Sequence, residues 1–308
     1  MVWAGDGPEG SGKIMRKRSF LAGTFALLAV LMFSMATVFA AGADFGTGVI
    51  TAEGYGVAPA NARTQGQARA LARRAAMVDA YRNLAEQIKG VNLDADTTIE
   101  NMVTTSDVIH TRTSALIKGA RPISEKYNSD GSYQVTVEVS IYGVTDSLAS
   151  AVLPKNETQE AFPSVSSGAM ISSLPSVSDN PTYASSAAPV PYDAQNVKAA
   201  GNFTGLIVDC RGLGLVPMMS PVIRNAESQP IYGYKNLNYK KVIAKGMAGY
   251  ATNMSGASRA GSNPMVVKAV RLEGHNGYPV VATADANRIL VENAASGFLD
   301  NCNVVFLR

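Results

Sequence analysis

The sequence predicts an α+β protein of two small domains joined by a flexible tether, and three observations carry that expectation. Tyr133, Val135, Val137, Val139 and Ile141 alternate with Gln134, Thr136, Glu138 and Ser140, the period-two pattern of a half-buried strand. Upstream, Leu71, Ala75, Val78, Tyr81, Ala85 and Ile88 recur at three- and four-residue spacing, which predicts a long helix with one apolar face. Between 153 and 196 the character changes. Pro154, Pro163, Pro175, Pro181, Pro189 and Pro191 punctuate a serine-rich stretch without apolar period. Such a segment cannot bury enough apolar surface to offset its ordering entropy, so it reads as a disordered linker. On each side lies a stretch of roughly 100 residues, long enough for its own core.

In the first domain, 46–147, the run from Val49 to Val57 reads as a strand. Pro59 and Asn61 mark a helix entry, with Asn61 the expected cap, and Gly90 the stop after Lys89. A second helix is expected over Met102 to Ile117. Asn128-Ser129-Asp130-Gly131 supplies the turn that joins a strand near Pro122 to Tyr127 to the alternating strand. The outcome is one long helix on a small, mainly antiparallel sheet. Arg69, Arg73, Arg74 and Arg82 lie mostly off the apolar face, interleaved with Asp79 and Glu86, and read as solvated surface rather than an anion site.

Ala72, Ala75-Ala76, Asp79-Ala80-Tyr81-Arg82, Leu84, Glu86, Gly90-Val91, Gly119 and Tyr133-Gln134-Val135-Thr136-Val137 resemble the LPP20 family of bacterial envelope proteins. The same arrangement is similar to the N-terminal domain of flagellar assembly protein T. The resemblance covers about a third of the chain and rests on a helix signature and a hairpin, not on a catalytic motif. It implies an envelope location and a non-enzymatic structural or assembly role. Family members are often lipoproteins, but no cysteine stands near the expected cleavage site here, so an N-terminal lipid anchor is not expected.

The second domain, 197–308, is expected to be mixed α/β. Its apolar strand through Ile207 and Val208 runs into Gly212-x-Gly214, which lacks the third glycine and the helix start of a dinucleotide fingerprint and reads as a structural turn. Further strands are expected at Ile231 to Tyr234, Met265 to Leu272 and Asn303 to Leu307. Helices are expected over Tyr239 to Ala248 and over Ala284 to Asn293, the latter capped by Thr283.

The first forty residues set the compartment. Met15-Arg16-Lys17-Arg18 is basic, Ser19 to Ala43 carries no charge and is strongly apolar, and Val38-Phe39-Ala40 provides small residues before a cut between Ala40 and Ala41. This is the layout of a secretory signal peptide. Retention as an N-terminal anchor is the alternative, and either leaves both domains outside the cytoplasm. Gly7 to Lys13 imitates a phosphate-binding loop, but Ile14 stands where a hydroxyl must hold Mg²⁺, no strand precedes it, and Met15 reads as the natural start.

Residues 1–40 hold four of the 27 basic residues and two of the 24 acidic ones, so the remainder is close to neutral. A nucleic-acid binder, which must neutralise many phosphates, is not expected. With His110 and His275 far apart, neither a zinc site nor histidine catalysis is expected, and no cofactor is implied. Cys210 and Cys302 permit one disulfide in an exported protein, or two buried thiols. Asp209 and Arg211 flank Cys210 at a strand end, where His275 would have to serve as its base. The pairs Asp285 with Glu292 and Asp79 with Glu86 read as surface carboxylates. No residue is assigned a catalytic, cofactor-binding or metal role. The expectation is a non-catalytic exported envelope protein with a structural or assembly role, its partners other envelope or surface proteins, and membrane contact only through an uncleaved signal peptide. A surface-displayed ligand-binding or adhesive module is the alternative, and a thiol enzyme using Cys210 a third.

Overall fold

The computed structural model describes residues 43–165, 170–171, 190–191, 199 and 201–308. The expected signal peptide and its Ala40–Ala41 junction lie outside them, as does most of the expected linker.

The first domain is a four-stranded sheet in the order β1 (Ala43–Asp44), β2 (Val49–Val57), β4 (Ser132–Ser140), β3 (Arg121–Tyr127), antiparallel throughout. Along β4, Tyr133, Val135, Val137 and Val139 are buried and their neighbours half-buried, as the alternation requires. The hairpin closes on Gly131, whose φ of +82° suits glycine, while Asp130 accepts from the Ser132 backbone N–H at 2.9 Å.

Helix α1 (Gln65–Lys89) covers the inner face of this sheet. Two expectations fail there. The cap is Thr64, not Asn61: its hydroxyl accepts from the Gln67 N–H at 3.1 Å, and the Gln67 side chain accepts in return from the Arg63 N–H at 2.8 Å. The buried face is Ala72, Ala76, Ala80, Leu84 and Ile88, a strict spacing of four, whereas Ala75 and Val78 are exposed. The reason lies in β2. A Cβ added at Gly54 would stand 2.1 Å from the Ala80 nitrogen, and one at Gly56 would stand 2.3 Å from the Ala72 carbonyl oxygen. Glycines two apart on a strand face the same way, so they let an alanine stripe approach backbone to backbone.

The same helix closes the free edge of β2. Tyr55 N–H donates to Asp79 Oδ2 at 3.0 Å, and Asn83 Nδ2 donates to the Glu53 carbonyl at 2.7 Å. Two side chains one turn apart thus replace the missing strand.

The expected second helix is two: α2 (Ile99–Thr105) and α3 (Asp107–Lys118). Ser106 between them is extended and caps α3, which breaks the run. After β4, α4 (Leu148–Val152) buries Leu148 and Val152.

A two-stranded pair, β5 (Met170–Ile171) with β6 (Val190–Pro191), stands between the domains in sequence. The second domain holds one mixed sheet of seven strands. Its order is β10 (Gly249–Ala251), β13 (Val304–Leu307), β7 (Gly205–Asp209), β11 (Pro264–Glu273), β12 (Tyr278–Val281), β8 (Ile223–Arg224), β9 (Pro230–Tyr232). β10, β13, β7 and β11 run parallel. β7, β12 and β13 are buried at every position, the continuous apolar pattern of strands enclosed on both faces. Helices α5 (Tyr239–Lys245) and α6 (Thr283–Ser296) complete the domain. Thr283 does not cap α6: it is the first helical residue, and its hydroxyl donates to Glu227 Oε2 at 2.5 Å.

Candidate functional site

The chemistry-bearing residues picked from the sequence take structural positions. Asp209 ends β7, and Arg211 folds back on it with Nε to Oδ1 at 2.9 Å and Nη2 to Oδ2 at 2.7 Å. Gly212 and Gly214, at φ of +80° and +76°, form the turn that follows. Cys210 is fully buried, its thiol weakly bonded to the Val208 carbonyl at 3.7 Å. Burial, reinforced by Asp209, pushes that thiol up to about 12, so at neutral pH it carries almost no thiolate. His275 is not beside it. Its exposed ring sits in the β11–β12 turn with Nδ1 2.8 Å from the Ala95 carbonyl of the first domain.

The possible disulfide is not formed: Cys210 and Cys302 are both free and buried. The parallel register of β7 and β13 explains this. Cys302 precedes the end of β13 that pairs with Leu206, whereas the Cys210 N–H donates to the Leu307 carbonyl at the other end. The four residues of β13 lie between the two positions, roughly 13 Å at 3.3 Å per residue, far beyond the reach of a bridge.

Three of the four arginines of α1 are engaged as well, Arg74 being the exception among the described residues. Arg73 makes two bonds to Glu125, at 2.7 and 2.6 Å, with the Tyr133 hydroxyl donating to the same carboxylate at 2.8 Å. Arg82 pairs with Asp79 at 2.6 Å, and Arg69 lies over the Tyr127 ring. Glu86 pairs with Lys89, while Glu292 is buried and accepts from the Gly201 N–H. Burial raises the Asp285 carboxyl against the pull of Arg288. Among the described residues no cluster of His, Cys, Asp and Glu could hold a metal, and no helix is long and apolar enough to cross a membrane.

What sequence reasoning missed is the seam between the domains. The described residues of both domains fall in one compact unit, with a continuous apolar core running through both. Three contacts build the seam. First, the loop after α1 lies along the second domain: Met219 N–H donates to Asn92 O at 3.0 Å, Ser220 N–H to Leu93 O at 2.7 Å, and Ala95 N–H to the Tyr278 hydroxyl at 3.1 Å.

Second, the C-terminus of α5 is finished by both domains. Gly143 N–H donates to the Ile243 carbonyl at 2.7 Å, and Arg259 donates to the carbonyls of Lys245, Gly246 and Cys302. The bonds to Ile243, Lys245 and Gly246 satisfy carbonyls that a helix end leaves open, and the guanidinium suits the negative end of the dipole. Tyr142 lies against Gly246, where an added Cβ would come within 2.5 Å of the ring. Its hydroxyl is buried without a partner among the described residues, and desolvation pushes the phenol well above its ordinary range.

Third, the start of the expected linker is a strap. Residues 153–165 run over the second domain, with Asn156 bonded to Leu237 O, Gln159 to Asn236 O, and Glu160 N–H to Lys235 O, at 2.8 to 2.9 Å. Phe162 stacks on Tyr232 at 6.4 Å and 4°. Here the structure differs from the expectation of disorder from residue 153, because backbone polar groups and one aromatic ring provide what the proline- and serine-rich composition lacks. From the sequence, only Phe162 within this polar stretch signals it.

Comparison with known families agrees with this division. Residues 52–140 match the LPP20 lipoprotein family, and residues 205–308 match a family described as the second domain of Treponema pallidum Tp0624. Neither match carries the similarity to flagellar assembly protein T. No curated protein matches the chain. The chain thus joins a module similar to the LPP20 lipoproteins to one similar to the second domain of Tp0624, and the first match supports a place in the bacterial envelope.

Proposed function

We propose that this protein is a non-catalytic envelope scaffold, exported by its leader, whose two modules meet other envelope or surface proteins as one preassembled body. An assembly role around a surface structure such as the flagellum is its most concrete form. The seam is the observation that supports the reading. Two modules with separate family matches share one core, so their outer surfaces stand in fixed relation, as a bridging part requires. The buried, weakly acidic thiol of Cys210 speaks in the same direction, against nucleophilic chemistry.

Cross-linking in intact cells followed by mass spectrometry tests the proposal. The expected result is recovery of the chain outside the cytoplasm, joined to envelope proteins through both modules. Full-length chain in the cytosol with its leader intact overturns the exported-scaffold reading. So does selective alkylation of Cys210 ahead of Cys302 in the folded protein, which would favour a thiol enzyme.

A further inference from the structure

The first domain's opening turn and the second domain's sheet enclose an open groove of about 410 Å³. Its walls include Asp44 and Gly46 on one side, and Thr252, Asn253, Ser255 and Arg308 on the other. Two features of its location favour a ligand. It lies at the junction of two modules, and it lies at the carboxyl ends of the parallel strands β10 and β13, where α/β sheets commonly place their sites. The volume falls within the range of about 300–1,000 Å³ typical of small-molecule sites.

The polar lining defines the chemistry. Arg308 is tied down by its backbone, whose N–H donates to the Ala251 carbonyl at 2.9 Å, while its guanidinium makes no hydrogen bond among the described residues. Asp44 Oδ1 accepts from the Gly46 and Thr47 N–H groups at 2.8 and 3.3 Å, and these bonds do not use Oδ2. Although burial acts to raise its pKa, the Thr47 and Gly46 hydrogen bonds and the Arg308 charge together hold the Asp44 carboxyl below its ordinary range. The groove thus presents a carboxylate held in its turn by backbone N–H groups and, on the other wall, an exposed guanidinium, with no ion pair between them. A lone anion would meet Asp44, and a lone cation would meet Arg308, each an unfavourable like-charge encounter. Asn253 accepts from the Gly256 N–H and the Ser255 hydroxyl through Oδ1, so its Nδ2 donors remain unused by those bonds.

We propose that this groove binds a small zwitterion, an amino acid or a short peptide with both ends free, its ammonium on Asp44 and its carboxylate on Arg308. The site stands independently of the scaffold role. Calorimetric titration of the full chain with trialanine, N-acetyl-trialanine, trialanine amide and free alanine tests it. Trialanine or alanine is expected to bind, and blocking either end should weaken binding about tenfold, the effect of one charge-assisted hydrogen bond. Tighter binding of trialanine assigns the site to peptides, and equal binding of alanine assigns it to free amino acids. Arg308→Gln should abolish discrimination between acid and amide while keeping that between free and acetylated amine. Asp44→Asn, which retains the turn's Oδ1 acceptor, should do the reverse. Unchanged melting temperatures show that both variants are folded. Absence of binding at millimolar concentrations, or binding indifferent to blocked ends or to both substitutions, overturns the proposal.

Discussion

The helix–strand contact of the first domain and the central strands of the second are both dry cores, yet they are built in opposite ways. In the first, Ala72, Ala76 and Ala80 meet Gly54 and Gly56 with backbones nearly touching. In the second, β7 and β13 bring Leu206, Val208, Val304 and Phe306 together, each essentially unexposed. The first core depends on side chains being absent, the second on side chains filling the space. The first should therefore fail on addition of a methyl group and the second on removal of a large group.

The most damaging change should be Gly54→Ala together with Gly56→Ala. Each new methyl group has backbone in its way, so the pair is expected to cost about 3 kcal/mol or more and to leave little folded protein. Denaturant titration followed by circular dichroism reads this; a loss below about 1 kcal/mol would mean that the helix moves aside freely. Next, Phe306→Ala in the enclosed sheet should cost about 3–5 kcal/mol by leaving a cavity beside Tyr250. A smaller loss from Phe306→Ala than from the glycine pair's methyl groups is compatible with the contrast, but near-neutrality is not.

The seam provides an intermediate test of opposite sign. Tyr142→Phe removes a buried hydroxyl that has no partner among the described residues and keeps the ring on Gly246, so stability should rise by about 1 kcal/mol. Tyr142→Ala should lower it and separate the unfolding of the two domains. A destabilised Phe variant would mean that the hydroxyl has a partner in solution.

The smallest effect lies at the rim. Hydrogen bonding by Arg73 and Tyr133 holds the Glu125 carboxyl below its ordinary range despite some opposing burial. Because the folded pKa is the depressed one, its stabilisation is complete above the unfolded value near ~4.3 and fades as pH falls through the folded value below it. Both partners are substantially exposed, so the effect is under about 1 kcal/mol. Unfolding midpoints from pH 6 down to 3 should fall less steeply for Glu125→Gln than for the parent; parallel curves would remove Glu125 from the acid response.

Much of this architecture was legible as periodicity. The alternation over Tyr133 to Ile141 located β4, and the turn residues before it located the hairpin. The long helix was legible in extent but not in orientation. Weighing apolar size selected Leu71 and Val78, and only the paired glycines on β2 reveal that the smaller stripe faces inward. In the second domain, apolar runs located β7, β11 and β13. Strands of two to four residues such as Ile223–Arg224, Gly249–Ala251 and Tyr278–Val281 are too short to show a period. The seam was least legible because it is made of backbone amides in polar loops, and backbone groups leave no mark on sequence. The groove was hidden for a related reason, since Asp44 and Arg308 come from nearly opposite ends of the described chain.

Asp79 and Asn83 bear on how this protein could polymerise. By occupying the Tyr55 amide and the Glu53 carbonyl, they hinder an incoming strand along the part of β2 that lies beyond its pairing with β1. At the opposite margin, β3, the irregular register at Pro122–Ser124 and the charges of Arg121, Glu125 and Lys126 oppose stacking of like strands.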